Sequence, residues 1–351
     1  MTKKILVWLS GWVDSAVTAY LLKQQGYDVT AGFMINYLAP EGEFCPTLWD
    51  LEEAKKVAEY LEIPFFTFDF REEYEQKVLN YMYEWYRKWI TPNPDIMCNS
   101  EVKFKVFLDE AIEAGFDMVA TGHYARIHTD KNGVSHLLKW VDENKDQSYF
   151  LAGLSQFQLS KALFPIGHLE KPKVREIAAE AWLPNADRKD SQGICFVWKV
   201  NMSDFLEKKI NPKPGRVLDT SGNVLGEHKW VFYYTIGQRK WLDIWGQAEP
   251  IFVVRKDIEK NEIIVGNSSD LALYEDMLFV QTWNNLSGKD YSFPLKAKAK
   301  IRYRQADQEC EIFEVEGWYE VKFSQDQRAI AAGQICAIYL DDELILSGVI
   351  Q

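Results

Sequence analysis

The segment of this chain with the clearest potential for chemistry is residues 9–15, LSGWVDS. It follows the apolar run 5–9, which is typical of a buried strand, and precedes the helical pattern of residues 16–24. A strand that turns through small and hydroxyl residues into a helix presents backbone N–H groups, serine oxygens and a positive helix terminus to an anion. We therefore predict a phosphate-binding loop here. The competing interpretation is a plain strand-to-helix turn in which a serine caps the helix.

Two of the five cysteines lie in settings that suggest chemistry. Cys98 follows the loop sequence PNPD, and Cys195 follows a polar segment that contains glycine; neither is a typical place for a core residue. A thiolate is a good nucleophile, and basic neighbours favour it. Arg188 and Lys189 lie near Cys195 in the sequence. The cysteines are odd in number, far apart and without close histidines, which argues against a disulfide framework and a sequence-local metal site. We assign three of them to structure: Cys45, Cys310 and Cys336.

The net charge of −12 is unusual for a protein that binds nucleic acid through its phosphates. Residues 289–304, however, contain six basic side chains against one acid. A continuous strand would place five of these on one face, namely Lys296, Lys298, Lys300, Arg302 and Arg304. This pattern predicts either a phosphate-binding face or the solvated outer face of an antiparallel sheet.

The sequence contains no apolar run of membrane-spanning length, and its beginning lacks the pattern of a secretory signal. We expect a cytoplasmic protein with no membrane partner. At 351 residues, the chain is long enough for two or three domains.

Short apolar runs alternate with amphipathic segments up to about residue 200. We predict strands over 4–9, 28–35, 64–70 and 117–122, and helices over 13–25, 51–61, 72–89 and 101–114. This alternation implies a parallel sheet covered by helices, with ligands at the carboxyl ends of its strands. Beyond the proline-rich segment 211–216, short alternating runs indicate β structure. The predicted architecture is an α/β domain over 1–205, a small β-rich domain over 206–275 and a C-terminal β-barrel over 276–351.

Six further motifs follow the loop in order along the chain: 91–100 (TPNPDIMCNS), 121–125 (TGHYA), 145–150 (KDQSYF), 190–196 (DSQGICF), 235–240 (TIGQRK) and 302–305 (RYRQ). With these motifs the sequence resembles the tRNA-specific 2-thiouridylases, which thiolate the wobble uridine of certain tRNAs. The resemblance extends over essentially the whole length. It implies that the α/β domain is an adenine-nucleotide alpha-hydrolase-like domain whose 9–15 segment is a pyrophosphatase loop (PP-loop).

The resemblance implies a sulfurtransferase that adenylates the uridine with ATP, together with Mg²⁺, and releases AMP and pyrophosphate. Asp14 would orient the loop or reach the Mg²⁺. The positions that match ATP-binding residues are Trp8, Leu9, Ser10, Gly11, Trp12, Val13, Asp14, Ser15, Met34 and Gly122. For Met34 the structural alternative is a core residue at a strand end.

The resemblance also assigns the catalytic residues. Cys195 carries a persulfide that a sulfur-donor protein supplies, Cys98 works against it, and Asp95 is the acid or base beside the target uridine. The persulfide sulfur either attacks the adenylated carbon directly or is first released by Cys98, and the sequence leaves both routes open.

The second partner implied by the resemblance is tRNA. The matching positions are Asn93, Pro94, Asp95, His123, Lys145, Asp146, Gln147, Arg302, Tyr303 and Gln334. The match at Arg302 and Tyr303 favours a tRNA surface over a solvated face for the alternating basic segment. A flipped uridine is the expected substrate geometry. For His123 the structural alternative is a hydrogen-bonded histidine at a strand end.

Tryptophan stands at several positions where the resembled family commonly has glycine: Trp8, Trp12, Trp89, Trp140, Trp182, Trp198, Trp230, Trp241 and Trp245. Random drift would scatter the substitutions among residue types. Our hypothesis is that a stop-like codon at these positions is read as glycine in the source organism. Genuine tryptophans at turns would each cost roughly 1–3 kcal/mol, and position 12 would add the strain of a positive φ.

Two alternative functions follow from these residues. If Trp12 is genuine, the protein is a catalytically impaired tRNA-binding relative. Another PP-loop ATP-dependent ligase would use the same loop but would need neither the paired cysteines nor a basic β domain.

Overall fold

The computed structural model describes residues 2–39, 45–88, 90–142, 145–189, 212–239, 242, 244 and 249–351. Cys195, its motif and four of the tryptophans at glycine-like positions lie outside the described residues: Trp89, Trp198, Trp241 and Trp245. No helix in the described part of the chain is long and apolar enough to cross a membrane.

The strands are β1 (Lys4–Trp8), β2 (Asp28–Ile35), β3 (Phe65–Asp69), β4 (Met118–Ala120), β5 (Arg126–Thr129), β6 (Ser135–Leu138), β7 (Ala162–Leu163), β8 (Gly215–Asp219), β9 (Val224–His228), β10 (Ile251–Asp257), β11 (Glu262–Asn267), β12 (Tyr274–Val280), β13 (Asn284–Asn285), β14 (Leu295–Lys300), β15 (Gln308–Val315), β16 (Trp318–Arg328), β17 (Ile335–Leu340) and β18 (Glu343–Val349). The α-helices are α1 (Val13–Gln24), α2 (Pro46–Tyr60), α3 (Arg71–Tyr74), α4 (Asn80–Arg87), α5 (Pro94–Met97), α6 (Phe107–Glu113), α7 (Gln156–Ser160) and α8 (Lys171–Glu180). Short 3₁₀ turns occur at Ser148–Leu151, Val231–Tyr233 and Leu271–Leu273.

The N-terminal region is built on a parallel five-stranded sheet in the order β3-β2-β1-β4-β7. The three central residues of β1, Ile5, Leu6 and Val7, are fully buried, as expected of a parallel strand covered on both faces. The four strands predicted from the apolar runs are confirmed. The two-residue strand β7 carries no periodic pattern, and the sequence did not predict it.

The helices confirm the predicted alternation but differ in their bounds. The predicted helix over 72–89 is α3 and α4 joined through a π-helical stretch, Glu75–Leu79. The predicted helix over 101–114 begins earlier, because α5 continues through a second π-helical stretch, Cys98–Val106, into α6. Such π-helical turns are frequent at functional sites.

Two β-rich units follow. The first is a four-stranded sheet in the order β10-β11-β8-β9. The second is a larger, mainly antiparallel sheet in the order β12-β16-β15-β14-β17-β18. An isolated bridge between Val280 and Ile350 connects β12 to the end of β18 and closes this sheet on itself. The predicted order of an α/β region, a small β-rich unit and a C-terminal β-barrel is therefore confirmed.

One connection between these units was not predicted. The hairpin β5–β6, which belongs to the N-terminal region in sequence, extends the C-terminal sheet through the pairing of Leu138 with Glu343. Arg126 of the same hairpin donates a hydrogen bond to Asp342 at 3.0 Å. The N-terminal region and the barrel are thus joined by backbone pairing as well as by side chains.

The structure corrects the interpretation of the alternating basic segment. Strand β14 ends at Lys300, and residues 301–304 form a turn in which Arg304 has a φ of +65°. Lys300 is buried, and Lys296 and Lys298 lie opposite Glu311 and Glu309 on β15. The five basic residues therefore do not form one continuous face, because β14 would have to extend four residues beyond Lys300 to include Arg304.

The described tryptophans at glycine-like positions differ in their backbone strain. Trp12 and Trp230 have extended backbones, and the buried indole N–H of Trp140 donates to the Leu169 carbonyl at 2.9 Å. Only Trp182 among them has a positive φ, +52°. It follows the C-cap of α8, its N–H bonds the Ala179 carbonyl, and its side chain is 81% exposed. Glycine is the residue favoured at such a helix end.

We predict that Trp182→Gly stabilises the protein by about 1 kcal/mol, because it removes the Cβ that opposes a left-handed backbone. Thermal or urea unfolding measures the change. Trp182→Ala is the matched control, since it removes the exposed indole but keeps the Cβ, and we expect no such gain from it. Equal stabilisation by both variants would show that the indole and not the backbone is responsible.

Candidate active site

The loop between β1 and α1 depends on one glycine. Gly11 has a φ of +80°, and a Cβ built on it would lie 2.4 Å from the Asp50 carbonyl oxygen. No L side chain fits both conditions. The positive φ that the sequence analysis expected at position 12 is therefore at Gly11, and Trp12 itself has an ordinary φ of −98°.

The hydroxyl groups of the loop form a small internal network. The Ser10 N–H donates to Ser15 Oγ at 3.1 Å, and Ser15 Oγ donates to the Trp12 carbonyl at 2.9 Å. Ser10 Oγ lies 3.0 Å from Ser15 Oγ. The 12-residue helix α1 starts at Val13, directly after Trp12, so the loop runs into the positive N-terminus of a helix. This arrangement is suited to an anion, as the sequence predicted.

Asp14 is the charged group of the loop. Its Oδ1 accepts hydrogen bonds from Lys171 Nζ and from the Tyr124 hydroxyl, both at 2.6 Å. Gly122 lies against the loop, since a Cβ on it would be 2.9 Å from the Ser15 nitrogen. Motif 121–125 and helix α8 therefore meet the loop, and Asp14 holds them together.

Trp12 lies between the loop and α2. The Arg188 guanidinium is stacked over its indole at 3.8 Å, and Arg188 also donates to the Gly11 carbonyl at 2.9 Å. Asp50 accepts hydrogen bonds from the side chains of Arg188 and Trp12; burial nevertheless raises the pKa of this carboxyl above its usual range. The Asn185 amide donates to the same Gly11 carbonyl at 2.9 Å.

Four residues around the loop were not predicted: Tyr124, Lys171, Asn185 and Arg188 as a loop contact. Tyr124 lies within a motif that the sequence analysis singled out, which is the only local signal. Lys171, Asn185 and Arg188 are far from the loop in the sequence, and no spacing rule identifies them.

The apolar positions of the predicted ATP set lie behind the loop. Leu9, Val13 and Met34 are buried in the hydrophobic core. Met34 is thus a core residue at a strand end, as its structural alternative stated, and its part in ATP binding stays a prediction. Trp8 is half-buried at the end of β1, with the buried Lys103 ammonium 4.3 Å from its ring centroid.

Cys98 begins the second π-helical stretch, directly after α5. The Asn93 side chain caps α5 by accepting a hydrogen bond from the Ile96 N–H at 3.3 Å. Cys98 is 1% exposed and packs in the hydrophobic core, contrary to our expectation that its loop setting is a poor place for core filling. Its predicted partner Cys195 lies outside the described residues.

The segment that leads to Cys98 is held by three parts of the chain. Gln334 Nε2 donates to the Thr91 carbonyl at 2.8 Å, and Thr91 Oγ1 lies 3.1 Å from Thr235 Oγ1. Gln334 belongs to the barrel and Thr235 to the middle β unit. The predicted residues Asn93, Pro94 and Asp95 therefore lie where the three units meet.

Aromatic residues continue this junction. The Asn93 side chain hydrogen-bonds the Tyr149 hydroxyl, which donates to the Ile335 carbonyl at 2.9 Å. Phe150 packs on Tyr303 with a centroid distance of 4.3 Å. The structure thus brings the predicted tRNA residues Asn93, Tyr303 and Gln334 close to Tyr149 and Phe150 of motif 145–150.

Asp146 is the exception among them. It is buried, and its carboxylate accepts hydrogen bonds from the Trp140 N–H, from Ser148 and from Lys300 Nζ at 3.0, 2.7 and 3.4 Å respectively. Lys300 is also 3.7 Å from Asp307, which pairs with Lys139. The side chain has an internal role, and its contact with tRNA stays a prediction. The other two predicted tRNA residues of motif 145–150, Lys145 and Gln147, are half-exposed.

His123 is buried between the rings of Phe104 and Phe164, and its Nδ1 lies 2.6 Å from Thr121 Oγ1. Burial and, to a lesser extent, the charge of Lys103 hold its pKa well below the ordinary value. The imidazole is therefore neutral. This is the structural histidine that the sequence analysis gave as its alternative, and its contact with tRNA stays a prediction.

Three full-length relatives are named tRNA-specific 2-thiouridylase MnmA. The proteins of Shouchella clausii and Hydrogenovibrio crunogenus are each 46% identical over 99% of this chain and over 96% and 93% of their own length. That of Streptococcus agalactiae serotype Ia is 44% identical over 99% of this chain and 95% of its own. The chain belongs to the tRNA-specific 2-thiouridylase family.

Three family descriptions match successive parts of this thiouridylase-family chain. They are tRNA methyl transferase HUP domain over residues 3–199, tRNA methyl transferase PRC-barrel domain over 203–267 and Aminomethyltransferase beta-barrel domain over 275–350. The order agrees with the parallel sheet, the small β unit and the closed antiparallel sheet. A U34-tRNA thiolase NcsA from Methanococcus maripaludis aligns with 60% of this chain and 67% of its own at 18% identity and a TM-score of 0.37, which is too low to bear on function.

The burial of neutral His123 predicts a loss of stability in acid. The unfolded chain takes up a proton near pH 6.5, whereas the folded chain does so only at lower pH, so the free energy of unfolding falls as pH drops below 6.5. Between pH 7 and 5.5 this contribution is about 1 kcal/mol. Urea unfolding at both pH values should show a smaller loss in His123→Gln than in the unmodified protein. The exposed His168→Gln is the control, and an equal loss in all three proteins contradicts the assignment.

Proposed function

We propose that this protein is a tRNA-uridine 2-sulfurtransferase that uses ATP to activate the wobble uridine and a cysteine persulfide to deliver sulfur. The observation that carries the proposal is the similarity, over 99% of the chain, to relatives named tRNA-specific 2-thiouridylase. The geometry of the 9–15 loop supports it. The overall reaction forms 2-thiouridine and releases AMP and pyrophosphate.

The loop is the site proposed for ATP. Gly11 lets the backbone pass close to Asp50, and Ser10 and Ser15 place hydroxyl groups beside the start of α1. The uridine C2 oxygen attacks the α-phosphorus, and pyrophosphate leaves towards these donors. Mg²⁺ supplies charge neutralisation on the phosphates when it is bound, and Asp14 is the residue proposed to hold it. The Lys171 ammonium, which pairs with Asp14, adds a further positive charge beside the proposed phosphate site.

Sulfur transfer is assigned to the two cysteines of the matched motifs. In one route, the terminal sulfur of the Cys195 persulfide attacks C2, AMP leaves, and the Cys98 thiolate then attacks the Cys195 sulfur to release 2-thiouridine. In the other, Cys98 attacks the persulfide first and frees sulfide, which attacks C2. Both routes end with a Cys98–Cys195 disulfide, which an external thiol reduces. Asp95, three residues before Cys98, is proposed to exchange the proton at the uridine.

The substrate and the sulfur donor come from outside the chain. Unmodified tRNA is proposed to lie on the junction formed by Asn93, Pro94, Gln147, Tyr303 and Gln334, with its wobble uridine flipped towards Cys98. Because Cys98 is buried, access of the base requires the segment around it to open. The donor is proposed to be a persulfide-carrying protein. We place the reaction in the cytoplasm.

The test combines purified protein, unmodified tRNA, ATP and a sulfide source, with 2-thiouridine measured by mass spectrometry of tRNA digests. Cys98→Ser and Cys195→Ser should each lower thiolation by at least about 10³-fold, as loss of a nucleophile does. Pyrophosphate release that depends on tRNA should persist in both, because adenylation precedes sulfur transfer.

Cys45→Ser is the matched control and should thiolate at the unmodified rate. Thiolation that survives both Cys98→Ser and Cys195→Ser would refute the assigned roles. Pyrophosphate release without tRNA would indicate a different PP-loop ligase.

Trp12 gives a second prediction for the same site. Its indole holds Arg188 at 3.8 Å and is hydrogen-bonded to Asp50 beside the loop. We expect Trp12→Gly to tighten ATP binding at least several-fold, because it removes this bulk and frees the Arg188 guanidinium. Equilibrium dialysis with ATP measures the change. Trp49→Ala is the control, since Trp49 also lies near Arg188 but outside the loop, and it should leave ATP affinity unchanged. Weaker binding by Trp12→Gly would mean that tryptophan is part of the working loop.

A further inference from the structure

Two arginines lie on neighbouring segments at the edge of the three-unit junction, because Gln305 Nε2 donates to Gln327 Oε1 at 2.8 Å and so joins the turn after β14 to the end of β16. Arg302 lies in the turn after β14, and Arg328 is the last residue of β16. Burial lowers the pKa of Arg302 below its usual range, and the positive charge of Arg328 lowers it further. The two positive charges therefore oppose each other across the joined segments.

Among the described residues, no acid forms an ion pair with either arginine. Besides Arg328, the ionisable group in this part of the chain that acts on the pKa of Arg302 is Tyr149. Arg328 Nη2 is buried and has no hydrogen-bond partner within the described part of the chain. A buried donor without an acceptor destabilises the fold, and more so when it is charged. The arrangement thus lacks an acceptor that carries negative charge.

The neighbours of the pair hold it in place without neutralising it. The Arg328 guanidinium lies 4.3 Å from the ring centroid of Phe252, a contact to the middle β unit. Tyr149, beside Arg302, is fixed by its hydrogen bonds to Asn93 and the Ile335 carbonyl. Tyr303 follows Arg302 directly. The pair therefore lies next to residues that the sequence matched to tRNA contacts, although Arg328 was not among them.

We propose that Arg302 and Arg328 together clamp one phosphodiester of the tRNA backbone, with Arg328 as a tRNA-binding residue of this family member. A phosphodiester supplies two acceptor oxygens and one negative charge, which a planar guanidinium binds in a bidentate manner. The clamp positions the tRNA and does not read its sequence. The proposal rests on the proposed function, because it takes tRNA as the substrate.

The test measures the affinity of unmodified tRNA for the full-length protein by filter binding at salt concentrations from 50 to 200 mM. Loss of one phosphate contact makes the slope of log affinity against log salt less steep by about 0.7–0.9. We expect this change for Arg328→Ala, together with weaker binding at each salt concentration. Arg255→Ala is the matched control, an exposed arginine on β10 near Phe252, and should keep the unmodified slope.

A purely structural brace predicts a different result. If Arg328 served only to pack on Phe252, then Arg328→Ala would lower the melting temperature and leave the salt slope unchanged, which would overturn the proposal. Phe252→Leu removes the ring but keeps both charges, so the clamp predicts an unchanged slope for it.

The phosphate could also belong to the nucleotide. In that case Arg328→Ala would weaken ATP binding in equilibrium dialysis and leave the tRNA slope unchanged, which would again overturn the proposal. If the unmodified protein fails to bind tRNA at all, the proposed function fails together with the clamp. If it binds tRNA and Arg328→Ala has the same slope, the clamp alone fails.

Discussion

The geometry of the junction depends on a buried ionic contact between the N-terminal region and the barrel. The carboxylate of Asp146 lies out of water and is balanced by Lys300, whose second neighbour is Asp307. Loss of one partner from a buried pair leaves an uncompensated charge and costs about 3–5 kcal/mol. The contact therefore holds residues 145–150 against β14. It thereby also fixes the positions of Tyr149 and Phe150.

The segment 145–150 also links the barrel to the helix that carries Cys98. Phe150 packs on Tyr303, while its carbonyl accepts a hydrogen bond from the Asn99 amide at 2.9 Å. Asn99 follows Cys98 directly. Residues proposed for tRNA binding and a residue proposed for sulfur transfer are thus positioned by one short segment. The 9–15 loop, the site proposed for ATP, is held separately by the contacts of Asp14 with Tyr124 and Lys171.

The tryptophans at glycine-like positions do not act alike in the folded chain. Trp140 is buried with its N–H satisfied, and Trp12 gains a stacking partner in Arg188. Backbone strain is concentrated at Trp182, where the chain leaves α8 in a left-handed conformation. We expected a cost in stability from a tryptophan at every turn. Among the described positions, backbone strain supports this cost clearly only at Trp182. The hypothesis that glycine is the native residue now rests on Trp182 and on the recurrence of one residue type.

The sequence by itself determined the main strands and helices of the N-terminal region and the order of the three units, because hydrophobic periodicity and turn residues are local properties. It also identified the 9–15 loop as the candidate phosphate site, since Gly11 and its serines are adjacent in the chain. Only the tertiary structure decided which side chains near the motifs are available for binding. Burial turned Asp146 and Met34 into internal residues, and the early end of β14 separated Arg302 from the lysines before it. Arg302, in the turn after β14, and Arg328, at the end of β16, are 26 positions apart, and no spacing rule spans such a distance.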